Sequence, residues 1–280
     1  MAQGTARAAE KVDKMERLRR IGAREGVIQI VPTRGSVRPV HLHEDESDLV
    51  TRPLASPTGP GGAAGFRNRH HSQIAVPEVH NIYMGPFWGD KAFVEQFSSD
   101  IVQRGYLQPL KDLGYGTGPG KYVGPIDGPT LPKGKPFHDK AAQQVLGQMI
   151  DAGTLKPNAN SLYVLILPDK VPSIMDSDGS KSCKDFCGYH DAFLHKGLEV
   201  AYAVLPSSKC KGCGGQMEDF TAVYAHELAE AATDKVPGQG WVANDGSENG
   251  DLEAWILLNW GPYVVQGYYT NERGNTVGPF

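Results

Sequence analysis

The stretch AVYAHELAEAATD, Ala222 to Asp234, restricts the possible folds of this chain more than any other segment. Ala222, Val223, Ala225, Leu228, Ala229, Ala231 and Ala232 are small and apolar, so a helix made of them should be buried almost all round. The same helix carries His226, Glu227 and Glu230. A carboxylate withdrawn from water needs a hydrogen-bonding or charged partner, and a cation is one of the few that serves two at once. Any fold must wrap other elements around this helix and bring such a partner to it.

On a helix His226 and Glu230, four residues apart, project from one face a turn apart. Their donor atoms can meet at one ion. Glu227, about 100° round the helix, can reach a water held there and act as general base. A zinc ion lowers the pKa of such a water towards about 7. The familiar zinc-protease string is H-E-x-x-H. Glutamate in place of its second histidine keeps the number of donors and makes the metal a weaker Lewis acid. A third ligand is expected from NDGSENGDLE, Asn244 to Glu253, with Glu248 and Asp251 the best placed. His190, in CGYHDAF, is a further candidate, as ligand or as a donor to a developing oxyanion. The expected catalytic residues are thus Glu227 and His190, and the expected ligands His226, Glu230, Glu248 and Asp251. The competing reading of a lone H-E-x-x-E is a solvated acidic helix face.

The acidic loop has a calcium reading too. Asp245, Ser247, Asn249 and Asp251 alternate around Gly250, but the twelfth position from Asp245 is Ile256, where an EF-hand needs glutamate. DSDGS, Asp176 to Ser180, is a shorter string of this kind, and both also read as simple turns.

With 280 residues the chain can form one large domain or two modest ones. A net charge of -4 gives no electrostatic reason to expect nucleic acid or an anionic membrane as partner. No run approaches the roughly 18 apolar residues of a membrane-spanning helix, so a soluble chain is expected. The first twenty residues carry charges where a signal peptide has its apolar core, although a signal removed earlier leaves export open. Cys183/Cys187 and Cys210/Cys213 form two close pairs, read either as a four-thiolate zinc knot or as disulfides.

Helical spacing marks 9–24, and GVIQIVP, Gly26 to Pro32, reads as a strand. Residues 1–50 form an N-terminal extension, a candidate pro-segment, and 51–75 a Gly/Pro-rich linker. The main domain, 76–280, opens with a strand from Val79. A helix capped by Asp90 follows, then a glycine-rich loop from Leu113 to Lys135 and a helix from His138 to Ala152. Strands at Ser161 to Pro168 and Leu198 to Pro206 precede the helix at about Glu218 to Asp234. This alternation predicts an α+β domain, a mixed sheet with packed helices.

The order CKDFCGYH, VAYAVLP, a cysteine pair, AHELAEAATD, a tryptophan, ENGD and VVQGYYTNERG resembles the phosphate-induced protein 1 family, also called EXORDIUM-like. VHNIYMGPFW looks like the family's first core strand, and the resemblance spans Val79 to Gly278. It implies an extracellular or cell-surface protein with a recurrent H-E-L-x-E motif, here His226, Glu227, Leu228 and Glu230. It also implies a Glu/Asp pair at Glu248 and Asp251 and a histidine at His190. Two departures are Asp234-Lys235 where the family has Asp-Pro, and Leu252-Glu253 where it has a cysteine. The expectation is a zincin-like domain holding zinc, or else calcium. It would hydrolyse a peptide or protein substrate, or serve as a secreted binding module with a structural metal.

Overall fold

The computed structural model describes residues 65–209 and 213–272. The helix expected at 9–24, the strand expected from Gly26, the 1–50 extension, most of the linker and Cys210 lie outside the described residues.

In chain order the strands are β1 (Arg67–Asn68), β2 (Glu78–Tyr83), β3 (Lys121–Asp127), β4 (Phe137–His138), β5 (Ser161–Ile166) and β6 (Ser173–Ile174). They continue as β7 (Tyr189–His195), β8 (Leu198–Leu205), β9 (Trp241–Val242), β10 (Leu257–Trp260) and β11 (Tyr263–Gln266). The helices are α1 (Lys91–Gln103), α2 (Gln108–Asp112), α3 (Asp139–Asp151) and α4 (Met217–Thr233).

A five-stranded sheet in the order β3-β2-β5-β8-β7 forms the centre, with β7 antiparallel to β8 and the other pairs parallel. This is the α+β mixed sheet that the alternation of elements implies. Strand β5, SLYVLI, is buried at every residue, because both faces of the sheet are covered. Leu162, Val164 and Ile166 pack into one cluster with Val94, Phe97, Ala225 and Leu228, from α1 and α4. Tyr163 and Leu165 point the other way and pack with Ala142 and Leu146 of α3.

Local chemistry sets the helix boundaries. The Asp90 carboxylate accepts the Phe93 N–H at 3.1 Å and caps α1. Gln216 and Asp219 cap α4 reciprocally. Gly153, with φ of 75°, follows the end of α3 in the left-handed conformation that stops a helix.

Strand β3 is a correction to the sequence reading, which left Leu113 to Lys135 as loop. It is an edge strand whose side chains alternate between exposed and half-buried. An edge tolerates its Gly124 and Pro125, which in sequence look like loop. Residues 65–75, expected to end the linker, contribute to the packed body. Arg67–Asn68 pairs with Trp241–Val242, and Phe66 stacks among Tyr115, Trp241 and Tyr269.

The zinc-knot reading of the cysteines gives way to disulfides. Cys187 and Cys213 are bonded, and Cys183 is disulfide-bonded as well. The 187–213 bond ties the segment before β7 to the segment before α4, two of the elements that carry the charged cluster. Among the described residues no helix is long and apolar enough to cross a membrane.

Candidate metal centre

Helix α4 is buried at every residue from Asp219 to Thr233, as its composition requires. Strands β7 and β8 cover one side of it. On the other lies β11, to which the Thr221 hydroxyl donates at the Val264 carbonyl (2.7 Å). His226, Glu227 and Glu230 are therefore carried into the interior, each at most 1% exposed.

His190 reaches the same place from the sheet. In the antiparallel register Tyr189 opposes Val204 and His190 opposes Ala203. Tyr189 packs on the α3 side with Phe186 and Tyr202, so the period-2 alternation turns His190 towards α4. Glu248 and Asp251 arrive on the loop after β9, and Asp251 opens a short 3-10 turn ending at Glu253. Gly250 must stay small here. A Cβ on it would lie 2.8 Å from His226 Nδ1 and 2.9 Å from Glu230 Oε1.

All six residues singled out from the sequence thus meet. His190 Nδ1 lies 3.6 Å from Glu230 Oε2 and 3.7 Å from Glu227 Oε2, and its Nε2 lies 3.3 Å from Glu248 Oε1. His226 Nε2 lies 3.1 Å from Glu230 Oε1. Two groups can each bring one ligand atom per residue within 4.8 Å of the others: His190, Glu230 and Glu248, and His226, Glu230 and Asp251. Glu230 belongs to both. Its Oε1 accepts the Asp251 N–H at 3.0 Å, while its Oε2 accepts no hydrogen bond. Both oxygens of Glu227 lack a hydrogen bond too. Buried carboxylate oxygens left in this state are costly, and a cation would satisfy them.

The electrostatics follow from burial and crowding. Burial raises the Glu227 pKa, partly offset by the neighbouring histidines. Burial also pushes Glu230 upward, but the charge of His226 and its contacts with both histidines outweigh this and hold it low. For His226 burial opposes the charged form, yet Glu230, Glu227 and Asp251 together bring it to about 9. The Gln266 side-chain nitrogen, 2.6 Å from His226 Nδ1, opposes that second proton, because an Nδ1–H would face an N–H. The contacts on this ring pull in opposite directions, the carboxylates favouring the charged form and the Gln266 N–H the neutral one. Asp234, at the helix exit, is raised well above the usual range by burial and by the nearby Glu248. Its carboxylate nevertheless accepts the N–H groups of Gly238, Gln239 and Gly240.

The calcium-loop pattern does not converge on a point. Asp245 is exposed and its carboxylate accepts the Ser247 N–H, an ordinary turn. Asp178 does the same for Ser180, and Asp176 binds His138 and the Lys140 N–H. Sequence reasoning missed Gln266, which stands 40 positions from His226. Asn249, singled out only within the calcium-loop pattern, is fully buried with neither side-chain amide atom hydrogen-bonded. It lies next to Glu248 in the chain.

No family model matches the chain, and no curated protein matches it. Among solved structures, metalloproteinase-II from Bacteroides fragilis aligns over 58% of this chain and 47% of its own length, at 13% identity and a TM-score of 0.29. The chain thus spans about half of that protein, and the superposition is too loose to bear on fold or chemistry.

Proposed function

We propose that this chain is a metal-dependent hydrolase, with zinc as its cation and peptide bonds as its substrate class. The observation that carries the reading is Glu227. It is buried beside two histidines and a second carboxylate, and neither of its oxygens has a hydrogen bond. A general base must keep an acceptor available and needs a raised pKa to work near neutrality, and burial gives Glu227 both. Bound zinc would supply Lewis acidity and a lowered water pKa. The residues of this chain would then divide the work. Glu230 and its neighbours hold the cation, Glu227 takes and returns the proton, and the apolar faces of α4 and β7 exclude bulk water. The zincin-like fold, the EXORDIUM-like resemblance over 76–280 and residues 1–50 as a pro-segment belong to the same proposal. So does export, which fits the disulfides.

The test is Glu227→Gln in the full chain, assayed for zinc content and for cleavage of a mixed fluorogenic peptide library. Zinc content should be unchanged and cleavage should fall by about 10²–10⁴-fold. Equal cleavage by wild type and variant would remove the mechanism. A second reading, a non-catalytic secreted module with a structural metal, is favoured by one observation. His190, His226, Glu227, Glu230 and Glu248 are all at most 1% exposed. Zinc binding with no cleavage by the wild type would select it.

A further inference from the structure

The H-E-L-x-E string invites the assumption that its histidine binds the metal, but the hydrogen bonds around the two rings point elsewhere. The Gln266 amide is oriented by two backbone groups whose polarity is fixed. Its Oε1 accepts the Trp255 N–H at 3.0 Å, and its Nε2 donates to the Gly250 carbonyl at 2.9 Å. Turning the amide over would set N–H against N–H and oxygen against oxygen. The nitrogen facing His226 Nδ1 at 2.6 Å is therefore a donor, and Nδ1 must accept. The proton of the neutral ring then sits on Nε2, the atom that points at Glu230, where a metal ligand needs a lone pair.

His190 has the opposite arrangement. Its Nε2 lies 3.0 Å from the Asp234 carbonyl, which can only accept, so Nε2 carries the proton and Nδ1 the lone pair. A metal-binding histidine almost always donates its second nitrogen to a carbonyl or carboxylate in this way. The lone pair is on the nitrogen that lies 3.6 Å from Glu230 Oε2, the buried oxygen with no hydrogen bond. Zinc bonds of about 2.0–2.2 Å in a tetrahedral shell set ligand atoms roughly 3.3–3.6 Å apart. The 3.6 Å between His190 Nδ1 and Glu230 Oε2 fits that spacing, and Glu248 completes a group that can bring one ligand atom per residue within 4.8 Å.

We propose that the divalent cation is held by His190 Nδ1, Glu230 Oε2 and Glu248, and that Gln266 keeps His226 off the cation as its Nε2–H tautomer. His226 is then a positioning residue for Glu230. Its Nε2 lies 3.1 Å from Oε1 without hydrogen-bond geometry, while the Asp251 N–H donates to that oxygen, and Oε2 is left for the ion. The inference rests on the metal-binding reading above and replaces the ligand expected from the motif.

The test is a zinc titration of the full chain labelled with ¹⁵N-histidine, followed by long-range proton–nitrogen spectra of the ring nitrogens. Zinc should move His190 Nδ1 to the metal-bound range and leave His226 protonated at Nε2. Metal-bound shifts at His226 Nε2 would overturn the ligand assignment while the hydrolase reading stood. No zinc uptake at all would overturn both. In parallel, His190→Gln should weaken zinc binding more than about 100-fold, and His226→Gln by no more than the 10–100-fold typical of a supporting contact. The reverse order would overturn the inference. Gln266→Glu supplies an acceptor at Nδ1, so the His226 proton should move to Nδ1. A merely structural glutamine would leave the tautomer unchanged. Should a variant fail to fold, the wild-type spectra decide alone.

Discussion

Glu230 Oε1 accepts the backbone N–H of Asp251 at 3.0 Å, joining the buried helix to a loop 21 residues further on. This bond makes the acidic loop part of the charged cluster, and it gives Glu230 two distinct oxygens. One accepts a backbone hydrogen bond and the other accepts none. Most of the expected behaviour follows from that asymmetry.

Metal removal should destabilise the fold, because Glu227 and Glu230 would be left buried without compensation. At zinc about 100-fold above its dissociation constant, binding adds about 2.7 kcal/mol, so chelation should lower Tm by roughly 5–10 °C. Thermal melts with and without EDTA measure this, and identical melts would argue against a bound cation.

Gly250→Ala should disrupt the centre without straining the backbone, since Gly250 has an ordinary φ of -72°. The added methyl meets His226 Nδ1 and Glu230 Oε1 well inside contact distance. A cost of about 1–3 kcal/mol is expected, together with reduced zinc content in elemental analysis. Unchanged zinc would show that the loop gives way freely.

Removal of the Cys187–Cys213 bond should cost about 3.5 kcal/mol, the loop-closure value for a 26-residue separation. Because the bond anchors the approach to β7, the Cys187→Ser/Cys213→Ser protein should also bind zinc more weakly. Urea unfolding and zinc titration test the two effects separately. Loss of stability with full zinc affinity would separate the disulfide from the centre.

On the other face of the sheet, Asp139 gives a dependence on pH. Burial, then the nearby Asp191, lifts its carboxyl to about 6, although the Tyr189 and Tyr202 hydroxyls donate to it. The folded state therefore binds the proton more tightly than the unfolded chain, whose aspartates titrate near about 3.9. This contribution is fully present below that value and is lost as pH rises to about 6, a fall of roughly 1–3 kcal/mol. Urea unfolding from pH 4 to 7 should show the decline, and Asp139→Asn should flatten it. The same slope in the variant would assign it to another group.

The amino-acid sequence alone determined a good deal. Asp90 announced α1, and SLYVLI marked a strand buried on both faces. The alanine-rich helix around His226 had to be interior, because small apolar residues occupy most of its circumference. These are local facts of cap chemistry, period and polarity, carried by residues within a turn or two of one another. The convergence of Glu227, Glu230, Glu248, Asp251 and His190 was legible as a list of candidates. Tertiary structure decided how they are arranged. Strand β3 was hidden because an edge strand tolerates the glycine and proline that in sequence signal a loop. Whether His190 faced α4 or α3 depended on its register against Ala203 in β8. The state of His226 depended on Gln266, on β11, and on the orientation that the Trp255 and Gly250 backbone imposes on that amide. A hydrogen bond between residues 40 apart leaves no periodic trace in a sequence, so the chemistry of this ring exists only once the chain has folded.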